Sequence, residues 1–161
     1  MSKEKRIIIS SLIVSFLLLL FLTPKRKIRQ AALILLFQQT YAWITGLFVV
    51  EKGWIAYPKR IFFKKSYKGS FTFEHFVFPI VSVLFNLYYP VQKNSVFKVL
   101  YYLFYCSVIC TLEVIGVKYT RVVTYKKWHW YFSFISMWFS FYVSRVFYRW
   151  FFKYGLVKDE K

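Results

Sequence analysis

Apolar residues fall in five long runs, at residues 7–23, 31–50, 73–91, 99–117 and 131–151, with basic connectors between them. Each run approaches the roughly 20 residues that an α-helix needs to cross a hydrocarbon core of about 30 Å. The pattern predicts an all-α fold, an integral membrane bundle of five transmembrane helices that makes residues 1–161 a single membrane domain. The first run follows Lys3, Lys5 and Arg6, as in a secretory signal. Its exit, Phe21-Leu22-Thr23-Pro24-Lys25-Arg26-Lys27, lacks the small residues of a cleavage site, so it reads as an uncleaved helix stopped by Pro24 and charge.

The longest connector, residues 51–72, mixes Trp54, Ile55, Tyr57, Ile61, Phe62 and Phe63 with Lys59, Arg60, Lys64 and Lys65. That mixture predicts an interfacial aromatic and basic segment between helices 2 and 3, with rings at headgroup depth and bases toward phosphate. Pro58 divides it, and a loop passing over the bundle fits the same residues.

Charge changes the expected partner. The chain holds 24 Lys and Arg against 6 Asp and Glu, a formal net charge of +18. In a soluble protein this would point to nucleic acid. Here the bases flank apolar runs, so nucleic acid is not expected. The partner is the phospholipid bilayer, through anionic headgroups that attract each basic residue by about 1 kcal/mol near the surface. Five crossings would put thirteen of the 24 basic residues on the N-terminal face and eleven on the other, which favours a cytoplasmic N-terminus by a narrow margin. So small a bias also fits a dual-topology dimer.

Polar residues inside the runs are the candidates for chemistry or for helix contacts, because the bilayer core offers them no water. At 100° per residue, His75, Pro79, Ser82 and Asn86 share one stripe, as do Tyr102, Cys106, Cys110 and Glu113. Gln38, Ala42 and Thr45 lie on the second helix, and Ser133, Ser136, Ser140 and Ser144 form a seam on the fifth. The candidate intramembrane seam is therefore Gln38, Thr45, Ser82, Asn86, Ser136, Ser140 and Ser144, suited to close helix packing with hydrogen bonds across it. A ligand path is the sharper reading. Cys106 and Cys110 have neither metal nor redox spacing and read as reduced packing residues.

By alternation Glu51, Glu74 and Glu113 belong to the N-terminal face with His75, Arg121 and His129, which predicts an ionic cluster near one membrane surface. Glu113 either pairs with a base of the next connector or serves as a proton or cation site. Arg145, Arg149 and Lys153 repeat every four residues on the last helix. They read as anionic-lipid contacts, by snorkelling or by binding a specific lipid or lipid-linked substrate. The chain has no Walker loop, GxSxG, HExxH or GxGxxG, so no catalytic, metal or cofactor residue is assigned and no cofactor is expected.

Tyr41-Ala42-Trp43-Ile44-Thr45-Gly46, Tyr57-Pro58-Lys59-Arg60, SFTFEHFVFPIVSVLFNLYYP at 70–90, Glu113, Lys118-Tyr119-Thr120 and TYKKWHWY at 124–131 carry a resemblance. Together they resemble a family of small multi-pass membrane proteins from Bacillus, Clostridium and related spore-forming Firmicutes. The resemblance runs from about Pro24 to Lys153 and is weakest in the first helix. It implies a bacterial plasma-membrane protein, brings no activity with it, and marks Glu74, Pro79, Asn86, Pro90 and Glu113 as characteristic positions.

The expected function is a non-enzymatic structural or accessory membrane protein. One alternative is a small transporter or channel component using Glu113 with Asn86 and Gln38. A lipid-acting membrane enzyme with His75 or His129 as base ranks third.

Overall fold

A computed structural model describes residues 3–59 and 68–152. Its helices are α1 (Lys3–Leu22), α2 (Ile28–Glu51), α3 (Phe78–Leu87), α4 (Ser95–Tyr119) and α5 (Trp130–Phe151). A 3₁₀ turn, Lys25–Lys27, leads into α2, and a π-helical turn, Phe73–Val77, leads into α3. The fold is all-helical apart from β1 (Ile55–Ala56) and β2 (Thr124–Tyr125), which pair antiparallel. Three helical segments, Lys3–Leu22, Lys25–Glu51 and Ser95–Tyr119, are long and apolar enough to cross a membrane.

The other two predicted spans differ from that simple form for physical reasons. The third run ends at Leu87 rather than at residue 91, because Pro90 cannot continue a helix. With its π turn, α3 reaches only about 22 Å at 1.5 Å per residue. The π turn has a local cause. Pro79 has no N–H to donate and its ring crowds the carbonyl four residues back, at His75, so the turn widens there. Glu74 reaches back to accept the Ser70 N–H at 3.2 Å, while its own N–H donates to Ser70 O at 2.9 Å. The fifth helix has 22 residues, but its serines and arginines dilute its apolar character.

Helix ends follow their sequences. Gly53, at φ +67°, closes α2 as only glycine does readily. The Gly53 N–H donates to Val50 O and the Trp54 N–H to Val49 O, the paired bonds of a glycine-terminated helix. The chain thus turns directly into β1. Asn94 caps α4 by accepting the Phe97 N–H at 3.0 Å, so that helix starts four residues before the apolar run expected at 99–117.

The described start of the 51–72 connector is tied to the connector after α4. Trp54 O accepts the N–H groups of Lys126 and Lys127, and Trp54 stacks on Trp128 with centroids 5.7 Å apart. Ile55 and Val123 are buried beneath this junction. Residues 60–67, with the expected bases Arg60, Lys64 and Lys65, lie outside the described residues.

The hub is α3. Phe78, Pro79, Ile80, Ser82, Val83, Leu84, Phe85 and Asn86 are all buried. Phe85 is wholly buried, with Tyr89, Tyr101, Tyr102, Tyr105 and Phe141 around it at centroid distances of 4.6–5.7 Å. A second cluster joins Ala31, Ile34, Val83 and Tyr148. Outside, Phe21 is 82% exposed and Leu112 64% exposed, whereas Gln38 is fully buried and Arg145 only 8% exposed. Large apolar groups therefore cover much of the outside, while Gln38 and Arg145 turn inward.

Gly46 fixes how closely α2 approaches the π turn. A Cβ at this position would fall 2.5 Å from Cδ and Oε1 of the buried Glu74. Gly46→Ala is expected to destabilise the protein by about 1–3 kcal/mol, the range for overpacking. Combined with Glu74→Ala it should cost clearly less than the sum of the two single changes, as read by denaturant unfolding in micelles. Strict additivity would place the clash elsewhere.

Candidate functional site

Five of the seven seam residues converge where α2, α3 and α5 meet. Gln38 Nε2 donates to Ser140 Oγ at 2.6 Å, and Ser82 Oγ donates to Gln38 Oε1 at 3.3 Å. The hydroxyls of Ser82 and Ser144 are 3.0 Å apart. Asn86 Nδ2 donates to Ser144 Oγ and to Ser82 O, each at 2.9 Å. Gln38, Ser82 and Ser144 are fully buried, and Asn86 and Ser140 nearly so. Their spacing explains the convergence. Ser82 and Asn86 are one turn apart on α3, as Ser140 and Ser144 are on α5, so two short side chains meet two others at adjacent levels.

Thr45 and Ser136 stay outside this network. Thr45 is exposed and donates to Tyr41 O and Ala42 O of its own helix, while Ser136 donates to Ser133 O.

Arg145 continues the network toward the far end of α3. Its Nη1 donates to Asn86 O at 3.4 Å, and its guanidinium lies 4.2 Å from the Tyr89 ring centroid and 5.2 Å from that of Tyr148. Asn86 O is among the last carbonyls of α3, which have no partner within the helix and attract a cation. Arg145 thus points into the bundle instead of snorkelling outward. Arg149 is exposed, and Lys153 lies outside the described residues.

A separate group holds Glu113. Tyr125 Oη donates to Glu113 Oε1 at 2.8 Å and Ser133 Oγ donates to the same oxygen at 2.9 Å. Trp128 Nε1 donates to Ser133 Oγ at 2.8 Å. Burial raises the Tyr125 phenol above its ordinary range, which keeps it protonated as a donor. The carboxylate that sequence reasoning paired with a connector base is held instead by hydroxyl donors. Among the described residues no base forms an ion pair with it.

The six residues expected in one ionic cluster occupy different places. Glu51 and Arg121 are exposed. Glu74 packs on Gly46, and His75 stacks on Phe71 at 4.3 Å. His129 stacks on Tyr131 at 5.3 Å. Glu113 is also distant from the seam, since Ser133 and Ser140 are about 10 Å apart along α5. Cys106 and Cys110 are free and buried, and Cys110 Sγ donates to Trp130 O at 3.4 Å.

The sequence reading missed Gly46, Tyr125 and the two tyrosines around Arg145. A signal existed for Arg145. Phe141, Arg145 and Tyr148 stand at i, i+4 and i+7 on the buried face of α5, a stripe as valid as the Arg145, Arg149, Lys153 one.

Replacing Asn86 tests the network against its neighbours. Asn86→Leu removes one bond across to α5 and one back to its own helix, and is expected to cost about 1–2 kcal/mol, since an interhelical hydrogen bond in a membrane averages about 0.6 and reaches about 1.7 kcal/mol. Thr45→Ala and Ser136→Ala should stay within about 0.5 kcal/mol of wild type. Unfolding in mixed micelles checks all three, and equal losses would remove the distinction between seam and surface. No protein-family model, curated protein or solved structure matches this chain.

Proposed function

We propose that the chain is a five-crossing integral protein of a bacterial plasma membrane, with a cytoplasmic N-terminus and a non-enzymatic structural or accessory role. Two contacts between ends of the molecule carry this reading. Tyr88 Oη donates to Leu22 O at 2.6 Å, which joins the end of α3 to the end of α1. Pairing of β1 with β2 joins the connector after α2 to the connector after α4. Each contact suits helices that alternate in direction and cross each time.

The two less apolar helices fit this reading through their surroundings. Because α3 is buried by its neighbours, it needs no full hydrocarbon length facing lipid. At about 33 Å, α5 is long enough to cross, and Ser133, Ser140, Ser144 and Arg145 turn inward while Ile135, Phe139, Tyr142 and Val146 face out. The bacterial plasma membrane rests on the family resemblance alone.

The scaffold role rests on the use made of the polar residues. Gln38, Ser82, Asn86, Ser140 and Ser144 bond to one another across helices. A transporter would bring Glu113 beside Asn86 and Gln38, whereas Glu113 is engaged by Tyr125 and Ser133 some distance away. The two histidines lie on separate segments, each stacked on an aromatic ring, an arrangement that suits packing more than the role of a base for either His75 or His129.

Topology is tested by single cysteines in a background with Cys106 and Cys110 replaced by serine. Five crossings place Lys25→Cys and Lys93→Cys on the same, outer side, both labelled in intact cells by an impermeant maleimide. If only α1, α2 and α4 cross, Lys93→Cys becomes cytoplasmic and is labelled only after permeabilisation. The role is tested by Glu113→Gln in reconstituted vesicles. The scaffold reading expects a lower melting temperature and no proton or potassium flux in either form. A wild-type flux that disappears in a normally stable variant would establish the transporter instead.

A further inference from the structure

Arg145 is more than nine-tenths buried, yet the described residues do little to balance its charge. Arginine keeps its proton in proteins, so this position holds a full positive charge. Of its five N–H groups, one makes a long bond to Asn86 O, and Nε is buried with no partner among the described residues. The rings of Tyr89 and Tyr148 give partial compensation through their faces. Capping the end of α3 explains Nη1 but leaves the other edge of the guanidinium unused.

No described carboxylate lies near this end of the bundle. The four in the described residues are Glu4, Glu51, Glu74 and Glu113, all at or toward the opposite helix ends. Bases dominate instead. Lys25, Arg26, Lys27, Arg29, Lys93 and Arg149 are exposed around the connectors and the end of α5. Arg145 lies only about 9 Å along α5 from Phe151, close enough for a group entering from that surface to reach it. A second orphan lies beside it, since Asn86 Oδ1 is buried with no donor among the described residues. An exposed basic rim over a buried guanidinium that no described carboxylate matches is the arrangement expected of an anion site.

We propose that Arg145, walled by Tyr89 and Tyr148, binds a phosphate oxyanion that enters past the basic rim at the end of α5. The free edge of the guanidinium, Nε with Nη2, offers the parallel donors that receive two oxygens of one phosphate. Asn86 Oδ1 would accept from a protonated phosphate oxygen or a headgroup hydroxyl of the same ligand. The chemistry is shared by an anionic lipid headgroup and by free phosphate. The location of the lipid source rests on the five-crossing reading, but binding itself does not.

The test uses the full-length protein in mild detergent, offered phosphatidylglycerol, phosphatidylcholine or inorganic phosphate. Retained lipid is read by native mass spectrometry and stabilisation by thermal unfolding. Wild type is expected to retain one phosphatidylglycerol and to melt higher with it. Arg145→Gln should weaken retention roughly tenfold or more, with Arg145→Lys between, because lysine keeps the charge but loses the two-pronged geometry. Arg149→Gln at the rim should retain the lipid with a smaller loss. Should Arg145→Gln fail to fold, Arg145→Lys and Tyr89→Leu carry the comparison.

Stabilisation by inorganic phosphate alone, lost in the Arg145 variants, would sustain the phosphate site and make free anion its source. The proposal is overturned if no phosphate compound stabilises wild type, or if folded Arg145 variants retain phosphatidylglycerol as wild type does. Neither result alters the cysteine-labelling pattern, so failure of the site and failure of the topology are separately visible.

Discussion

Hydrogen bonds from Ser82 and Asn86 to Gln38 and Ser144 hold three helices together where water is excluded, and the other contacts are arranged around them. In a hydrocarbon setting apolar packing gains little from burial, because lipid tails are as apolar as leucine. Close contact and buried polar bonds must supply the specificity instead. The bundle meets this with small partners. Serines at positions 82, 140 and 144 let helices approach closely, and Gln38 and Asn86 bridge between them.

The shortness of α3 follows from its central place. A helix of ten residues surrounded by others meets protein along its sides, so residues too polar or too angular for a lipid-facing span are accommodated there. Pro79 is tolerated because the π turn before it absorbs the lost bond. Glu74 is tolerated because Gly46 leaves room and Ser70 donates to it. At the other end, Tyr101 Oη donates to Phe85 O and Arg145 to Asn86 O, so side chains from α4 and α5 serve the last carbonyls of α3. Among the described residues, the unused edge of Arg145 and the neighbouring Asn86 Oδ1 are left unmatched at this end.

The helical class was legible because apolar runs and basic connectors repeat on the length scale of a membrane. The stripes also carried information. Periodicity alone put Ser82 with Asn86, and Ser140 with Ser144, on one face of their respective helices. What sequence could not supply was the choice between equivalent stripes or any contact set by backbone shape. Arg145 belonged equally to a stripe with Arg149 and to one with Phe141. Thr45 and Ser136 had the right residue type but lie on the wrong side of their helices. The β1–β2 junction rests on two residues from each connector, too short a signal for strand periodicity. The Gly46 contact depends on a π turn that shifts helical phase, which a wheel at 100° per residue does not contain.

The most direct test of the network as one unit is a double-mutant cycle between Gln38→Leu and Ser144→Ala, measured by reversible unfolding in mixed micelles. The two side chains are linked through Ser82. A single cooperative network predicts a coupling of about 0.5 kcal/mol or more, the level seen for residues sharing a hydrogen-bond chain. Losses that add within about 0.3 kcal/mol would mean that the helices are held by independent contacts, contradicting the account.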